Sequence, residues 1–260
     1  RRRKGDDDDN LKSTYRLRSR LACSFVYPDD VLNPYELRDT EKQIEALQAA
    51  GEDIDDIDTT DEKQVALFVK ETLMKTLSKN RSKYFNIASG ALGRLSPKYV
   101  EMIKTIRKCP GLILVYSYFL TMIGLNMFAL ALEETGEWAK FEIRKIDGLW
   151  HLVSGNPELE DPAAKRPNTY IFYTGEENKD YLDIIRLIYN SEWDQLDDSC
   201  QPLKEKLTAL YGKEENLRGQ VIRMLMTTVM GTEGLDLKNV RSIHITEPYW
   251  QPVLVDQVIG

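Results

Sequence analysis

The chain has 260 residues, of which 42% are hydrophobic and 30% charged, so it holds enough apolar sequence for a sizeable folded core. Its formal net charge of -7 argues against a binder that relies on overall positive charge, although a local patch matters more than the total. Cys23, Cys109 and Cys200 are scattered and lack metal-ligand spacing. We therefore expect reduced thiols in an intracellular, reducing compartment, and no bound metal.

The residues before position 95 are predicted to combine a charged start with a helical insertion or surface appendage. Residues 1–10 join a basic run to an acidic run, which is typical of a solvated, disordered segment; a basic nucleic-acid-binding arm is the alternative. A helical pattern follows and ends at Gly51, and residues 61–80 form an amphipathic helix with Ala66, Val69, Leu73 and Leu77 on one face. Residues 29–94 are thus predicted to be an acidic helical insertion.

From residue 95 onward helices alternate with strands. A helix over 95–109 has Ser96 as its cap, and the apolar stretch 111–132 is interrupted by polar residues, which favours a buried strand and helix over a membrane span. The predicted strands are 112–117, 141–146, 169–175, 221–228 and 240–248, and the predicted helices are 119–136, 179–190 and 201–212, with a loop over 147–168. This alternation predicts an α/β fold with a mostly parallel sheet flanked by helices, with function at the carboxyl ends of the strands. No membrane contact is expected.

The segment 227–260 carries the most chemical information. A strand ends in Thr227 and Thr228, and the loop after it contains Gly231, Gly234 and Asp236. Glycines let the backbone approach a phosphate, hydroxyls donate to phosphate oxygens, and an acid accepts from a sugar hydroxyl. A tight turn with a capping threonine is the alternative interpretation.

That segment resembles the conserved motifs of superfamily 2 helicases. The pattern T-T-x-x-x-x-E-G-L-D-L is similar to motif V, and the run IHITEP, YWQP and DQVIG resembles the approach to motif VI. In that family, motif VI carries arginines that reach the nucleotide phosphates. Trp250-x-Pro252 resembles the WNP of Snf2-like translocases and of helicases from large DNA viruses, although Gln251 replaces the usual Asn.

Two earlier segments agree with this order of motifs. GLILVYSYF (111–119) resembles motif IV, and TYIFYTGEE (169–177) resembles motif IVa. Residues 13–28 are similar to the segment that links the two lobes in viral helicases, where a variable insertion follows. The resemblance therefore implies a disordered start and inter-lobe linker over 1–28, and a RecA-like C-terminal lobe over 95–260 that is cut within motif VI.

The resemblance implies an ATP-dependent helicase or translocase acting on DNA or RNA. It places Ser117, Thr174, Gly175, Thr227 and Thr228 against the strand phosphates. It places Gly234, Asp236, Gln257 and Gly260 at the nucleotide. ATP and Mg²⁺ would bind mainly to an N-terminal RecA-like lobe before Arg1, because the 260 residues hold neither a G-x-x-x-x-G-K-[ST] phosphate loop nor a D-E-x-H-like motif.

The implied partners are nucleic acid, that first lobe and viral transcription machinery, in a viral factory or virion. The chain alone is expected to hydrolyse no ATP, and arginines are expected after Gly260. A catalytically inactive RecA-like scaffold in a viral transcription complex is the alternative, and an unrelated nucleotide-binding α/β enzyme is a third.

Other chemistry-bearing residues favour structural roles. His244 lies in a predicted strand and is expected to be packed rather than catalytic, and His151 has no metal-ligating neighbour in sequence. Glu176 and Glu177 are interpreted as helix-end charges. Tyr170, Phe172 and Tyr173 could stack on bases, but aromatic residues in a strand are more typical of a core.

Overall fold

A computed structural model describes residues 23–33, 37, 39–54, 57–120, 124–153, 156, 159, 165–175, 177–212, 215–232 and 235–247. The chain divides into two compact units, Arg1–Tyr99 and Val100–Gly260. The charged arm predicted at residues 1–10 lies outside the described residues. The functional divisions at residues 28 and 94 stay predictions.

The first unit is helical where it is described. Its helices are α1 (Thr40–Ala49), α2 (Glu62–Lys79), α3 (Arg81–Tyr84), α4 (Ala91–Leu95) and the start of α5 (Pro97–Lys108), which contains the division between units. Asp39 and Asp61 cap α1 and α2 by accepting backbone N–H groups of the first turn. The predicted buried face of α2 is confirmed at three of its four positions, Val69, Leu73 and Leu77. Ala66 is only half-buried, because the adjacent Val65 takes the buried position.

Residues 24–27 pack into the first unit. Phe25 stacks on Phe85 with ring centroids 5.6 Å apart, and it lies 6.3 Å from the ring of Tyr99. Ser96 caps α5 as predicted, accepting from the N–H of Tyr99 at 3.2 Å, and its hydroxyl donates to the carbonyl of Ser24. The apolar and polar contacts together fix this segment against the start of α5.

The second unit is built on a parallel sheet. Its strands are β1 (Leu112–Tyr116), β2 (Trp138–Lys140), β5 (Asn168–Tyr173), β6 (Met224–Thr227) and β7 (Val240–Ile245), while β3 (Ile143–Ile146) and β4 (Leu149–Leu152) form a separate hairpin. The sheet order is β2-β5-β6-β1-β7, and every neighbouring pair is parallel. The predicted α/β fold, a RecA-like parallel sheet flanked by helices, is confirmed.

Helices cover this sheet and bury an apolar core. They are α6 (Leu125–Glu134), α7 (Lys179–Tyr189), α8 (Gln201–Tyr211) and the short α9 (Val229–Thr232), with 3₁₀ turns at Trp193–Gln195 and Asp198–Cys200. Every residue of β1 is buried, as expected for a parallel strand covered on both faces. None of the helices in the described part of the chain combines the length and apolar character needed to cross a bilayer.

Three local predictions differ from the structure. The predicted strand 141–146 and the predicted loop 147–168 are wrong in part, because Ile143–Ile146 pairs antiparallel with Leu149–Leu152, and the sheet strand is Trp138–Lys140. Asp147 and Gly148 both have positive φ, 50° and 83°, which is the backbone of a two-residue hairpin turn. The helix predicted over 119–136 begins later, at Leu125.

Candidate nucleic-acid interface

Three neighbouring strands end together at one edge of the sheet. Thr227, the last residue of β6, lies opposite Tyr116 of β1 and Tyr173 of β5. The residues that follow these strands therefore lie side by side at the carboxyl edge. The structure thus brings together five residues that were predicted to contact phosphates: Ser117, Thr174, Gly175, Thr227 and Thr228.

The two threonines at the end of β6, Thr227 and Thr228, tie that strand to β5. Thr227 is fully buried, and its Oγ1 donates to the carbonyl of Tyr173 at 2.7 Å. The Oγ1 of Thr228 donates to the carbonyl of Thr174 at 3.0 Å. These hydroxyls fix the position of the edge, because each already donates its proton within the protein.

A buried carboxylate organises the loop after β1. Ser117 Oγ donates to Glu247 Oε2 at 2.9 Å, and the N–H of Tyr118 donates to the same oxygen at 3.0 Å. Glu247 is 2% exposed and follows β7, the neighbour of β1. Sequence reasoning missed Glu247, although a carboxylate placed just after a predicted strand was the available signal.

Thr174 is held in a similar way by a nearby carboxylate. Its N–H donates to Glu177 Oε2 at 3.0 Å, and its Oγ1 lies 3.0 Å from both Glu177 oxygens. The interpretation of Glu177 as a helix-end charge omitted this contact, which the T-x-x-E spacing of a capping box could have indicated. Gly175 beside it is exposed and has a φ of 84°.

Gly231 packs tightly against the same edge. A Cβ at this position would lie 2.0 Å from the carbonyl oxygen of Tyr173 and 2.4 Å from Thr227 Oγ1. The close approach that requires glycine here is therefore to β5 and β6. The loop after β6 was predicted to use its glycines for approach to a phosphate, and at Gly231 the protein itself fills that space.

The structure places Asp236 away from these hydroxyls. Its carbonyl accepts from Asn190 Nδ2 at 2.9 Å, and Asn190 directly follows α7, the helix that leads back from the carboxyl edge. Tyr189 OH donates to the carbonyl of Ile113 in the first half of β1, so this end of α7 lies near the amino ends of the strands. The side chain of Asp236 is exposed.

Polar contacts hold the segment around Asp236 in place. The N–H of Lys238 donates to Asn190 Oδ1 at 2.8 Å, and the ammonium of Lys238 pairs with Glu192. Glu192 also lies 3.5 Å from Arg186 of α7. The hydrogen bond from Lys238 holds the pKa of Glu192 below its usual value. Sequence reasoning found none of these anchors.

The predicted nucleotide site lies mostly outside the described residues. Of the four residues predicted at the nucleotide only Asp236 is described, while Gly234, Gln257 and Gly260 lie outside the described residues. Their roles stay predictions. Within the described part of the chain, His, Cys, Asp and Glu side chains form no cluster suited to a metal ion.

The remaining candidates have structural surroundings. His244 is half-buried, Ser242 Oγ lies 2.9 Å from its Nε2, and burial lowers its pKa. Tyr170 and Tyr173 are buried in the core, as their position in a strand indicated. Phe172 is half-buried, and the ammonium of Lys140 lies 5.9 Å from the centroid of its ring.

Comparison with known proteins identifies relatives in large DNA viruses. The chain is 30% identical over 168 residues to the termination factor NPH-I homolog of one African swine fever virus isolate, which covers 63% of this chain and 22% of that protein. It is 24% identical over 165 residues to a protein of Acanthamoeba polyphaga mimivirus whose name describes an ATP-dependent RNA helicase. Over the matched region, this chain is similar to a viral termination factor and to viral proteins named as RNA helicases. The predicted resemblance to the C-terminal lobe of a viral superfamily 2 helicase is confirmed for that region.

The matches cover only part of each relative. A second mimivirus protein named as an ATP-dependent RNA helicase is 34% identical over 55 residues, 21% of this chain. The chain spans about a fifth of the length of its African swine fever virus relative, 22%. No protein-family model matches the chain. No solved structure matches it either.

Proposed function

We propose that this chain is one motor lobe of a two-lobe, ATP-dependent helicase or translocase that works in transcription of a large DNA virus. The names of its relatives, a termination factor and RNA helicases, support the activity and the setting. In this proposal the carboxyl edge of the sheet holds one nucleic-acid strand. ATP and Mg²⁺ bind mainly to the other lobe of the same protein, and viral transcription machinery is the further partner.

The observation that carries the proposal is the register of β1, β5 and β6. Because these strands end level with one another, small polar residues from three loops meet at one edge. In this proposal the N–H and hydroxyl of Thr174 contact a phosphate, while the hydroxyls of Ser117, Thr227 and Thr228, which donate within the protein, fix the edge around it. Contacts to phosphates position a strand without reading its sequence. The formal net charge of -7 supplies no general attraction, so we expect modest affinity from this chain alone.

The sharpest test is Gly175→Ala, measured by fluorescence anisotropy with labelled single-stranded DNA and RNA. An added methyl group beside Thr174 blocks close approach of the strand, and we expect affinity to fall about tenfold through lost hydrogen bonds to phosphate. Gly136→Ala is the matched control. Gly136 also has a positive φ, 69°, but it ends α6 before β2 begins, near the amino ends of the strands.

The two variants carry the same kind of backbone strain, so a difference in their affinity for nucleic acid reports on the proposed interface beside Thr174. Equal binding by Gly175→Ala, Gly136→Ala and the unmodified chain contradicts the proposed interface. In the parent protein, Gly175→Ala should also reduce ATP hydrolysis stimulated by nucleic acid. A parent protein with no stimulated hydrolysis at all favours the inactive scaffold instead.

A further inference from the structure

The donors of Thr174 are already occupied by an internal anion. Its N–H and its hydroxyl both lie 3.0 Å from the carboxylate of Glu177. Two oxygens on one carboxylate carbon present the same pattern of acceptors as two oxygens on one phosphate. Glu177 thus fills the position that a strand phosphate needs in the proposed interface.

The surroundings of Glu177 allow its carboxylate to leave. It is half-buried in the short loop between β5 and α7, two residues beyond the exposed Gly175. Helix α7 has its own cap, since the side chain of Asn178 accepts from the N–H of Asp180. The helix therefore keeps a capped first turn when the carboxylate of Glu177 moves.

We propose that Glu177 is an internal competitor, which occupies the phosphate position at Thr174 when no strand is bound and is displaced by the strand. The inference rests on the proposed function, because it assumes that a phosphate contacts Thr174. Displacement costs two charge-assisted hydrogen bonds, so Glu177 lowers the affinity of the edge for nucleic acid. A purely structural role, in which Glu177 orders the loop for binding, has the opposite consequence.

Glu177→Gln separates these two roles. Glutamine keeps the shape and one acceptor oxygen but loses the charge, so we expect single-stranded DNA to bind about fivefold more tightly, as expected when charge-assisted hydrogen bonds are replaced by neutral ones. Asp180→Asn is the matched control, because it removes one negative charge from the exposed first turn of α7, while the backbone N–H of Asp180 still donates to the capping side chain of Asn178. Its affinity should change less than about twofold.

Measuring Glu177→Gln in a variant that also carries Thr174→Val tests whether the gain in affinity depends on Thr174. In Thr174→Val the hydroxyl is gone, so Glu177→Gln should add much less affinity there than in the unmodified chain. Melting curves confirm that each variant is folded. The internal-competitor role is overturned when Glu177→Gln binds no more tightly than Asp180→Asn, or when its gain is unchanged in Thr174→Val.

The outcomes also separate this inference from the proposed function. Weaker binding by Gly175→Ala together with an unchanged Glu177→Gln leaves the interface standing and removes only the competitor. Absence of DNA and RNA binding by both the unmodified chain and Glu177→Gln overturns both proposals.

Discussion

Asn216 shows how a single residue sets the position of a strand that carries the candidate interface. Its fully buried side chain accepts from the N–H groups of Val221 and Ile222 at 2.9 and 3.0 Å. It donates to the carbonyls of Tyr189 and Ile222 at 3.2 and 2.8 Å. All hydrogen-bonding capacity of the amide is used, which joins the end of α7 to the start of β6.

Asn216→Ala should lower the free energy of unfolding by about 2–4 kcal/mol, because it leaves buried N–H and C=O groups unsatisfied. Urea denaturation followed by circular dichroism measures the change. Arg218→Ala, an exposed position in the same loop, is the control and should stay within about 0.5 kcal/mol. A loss below about 1 kcal/mol for Asn216→Ala would show that water replaces the amide.

At the scale of single residues, the sequence predicts the positions of the hydroxyl donors better than the position of the carboxylate that accepts from them. Ser117, Thr174 and Thr228 were expected at the carboxyl edge because each lies at the end of a predicted strand, and parallel strands end at a common edge. The acceptor Glu247 is 130 residues from Ser117 in sequence, and their contact depends on β7 lying next to β1. Strand order is a property of the assembled sheet, so residue spacing alone does not predict such a pair.

At the scale of elements, length and apolar character decide what can be predicted. The strands β1, β6 and β7 lie within their predicted ranges, and β5 begins at Asn168, one residue before its predicted start. Strands β1, β5 and β6 are mostly apolar runs bounded by polar or turn residues, whereas β7 mixes apolar and polar residues. Strand β2 has only three residues, Trp138–Lys140, which is too short to show a periodic pattern. The stops predicted at Gly51 and Gly136 agree with positive φ values of 76° and 69°.

Helix α9 is the element whose packing is most easily tested. Gly231→Ala places a methyl group against the carbonyl of Tyr173 and the hydroxyl of Thr227, so the short helix or the strand end must shift. We expect a loss of about 1–3 kcal/mol in the free energy of unfolding. Gly93→Ala is the contrast, since no atom beyond the adjacent backbone of its own helix lies within 4 Å of the added Cβ and Gly93 is inside helix α4.

Gly93→Ala should be neutral or stabilising, by up to about 1 kcal/mol, because alanine favours helix. Urea denaturation of both variants measures the two effects, with near-ultraviolet circular dichroism as a check on packing. Similar stability of Gly231→Ala and the unmodified chain would show that the loop after β6 is not fixed against β5.

At the scale of the whole molecule, the three cysteines report on folding. Cys23 is exposed, whereas Cys109 and Cys200 are buried in the second unit. Burial raises the pKa of Cys200 to about 11, which leaves little thiolate at neutral pH. The exposed thiol of Cys23 therefore differs in reactivity from the two buried thiols in the native chain.

We expect Cys23 to react rapidly with a maleimide in native buffer, and Cys109 and Cys200 to react only as urea opens the second unit. Peptide mass spectrometry after timed quenching assigns each site. Cys23→Ser should remove the fast phase and leave the protected one unchanged. Native-state labelling of Cys200 at the rate of Cys23 would be incompatible with its burial.

The strand order also governs when the sheet can assemble during synthesis. Strand β1 lies between β6 and β7, so its nearest partner, Met224 opposite Ile113, is made about 110 residues later. At ribosomal speed this delay is roughly 6–20 s, during which both sides of an entirely apolar strand have no backbone partner in the sheet. The pair β2–β5 can form earlier, and β6 then joins it to β1. Joining of β1 to the other strands thus waits for β6, and completion of the sheet waits for β7, so the nascent chain must protect β1 from other strands until then.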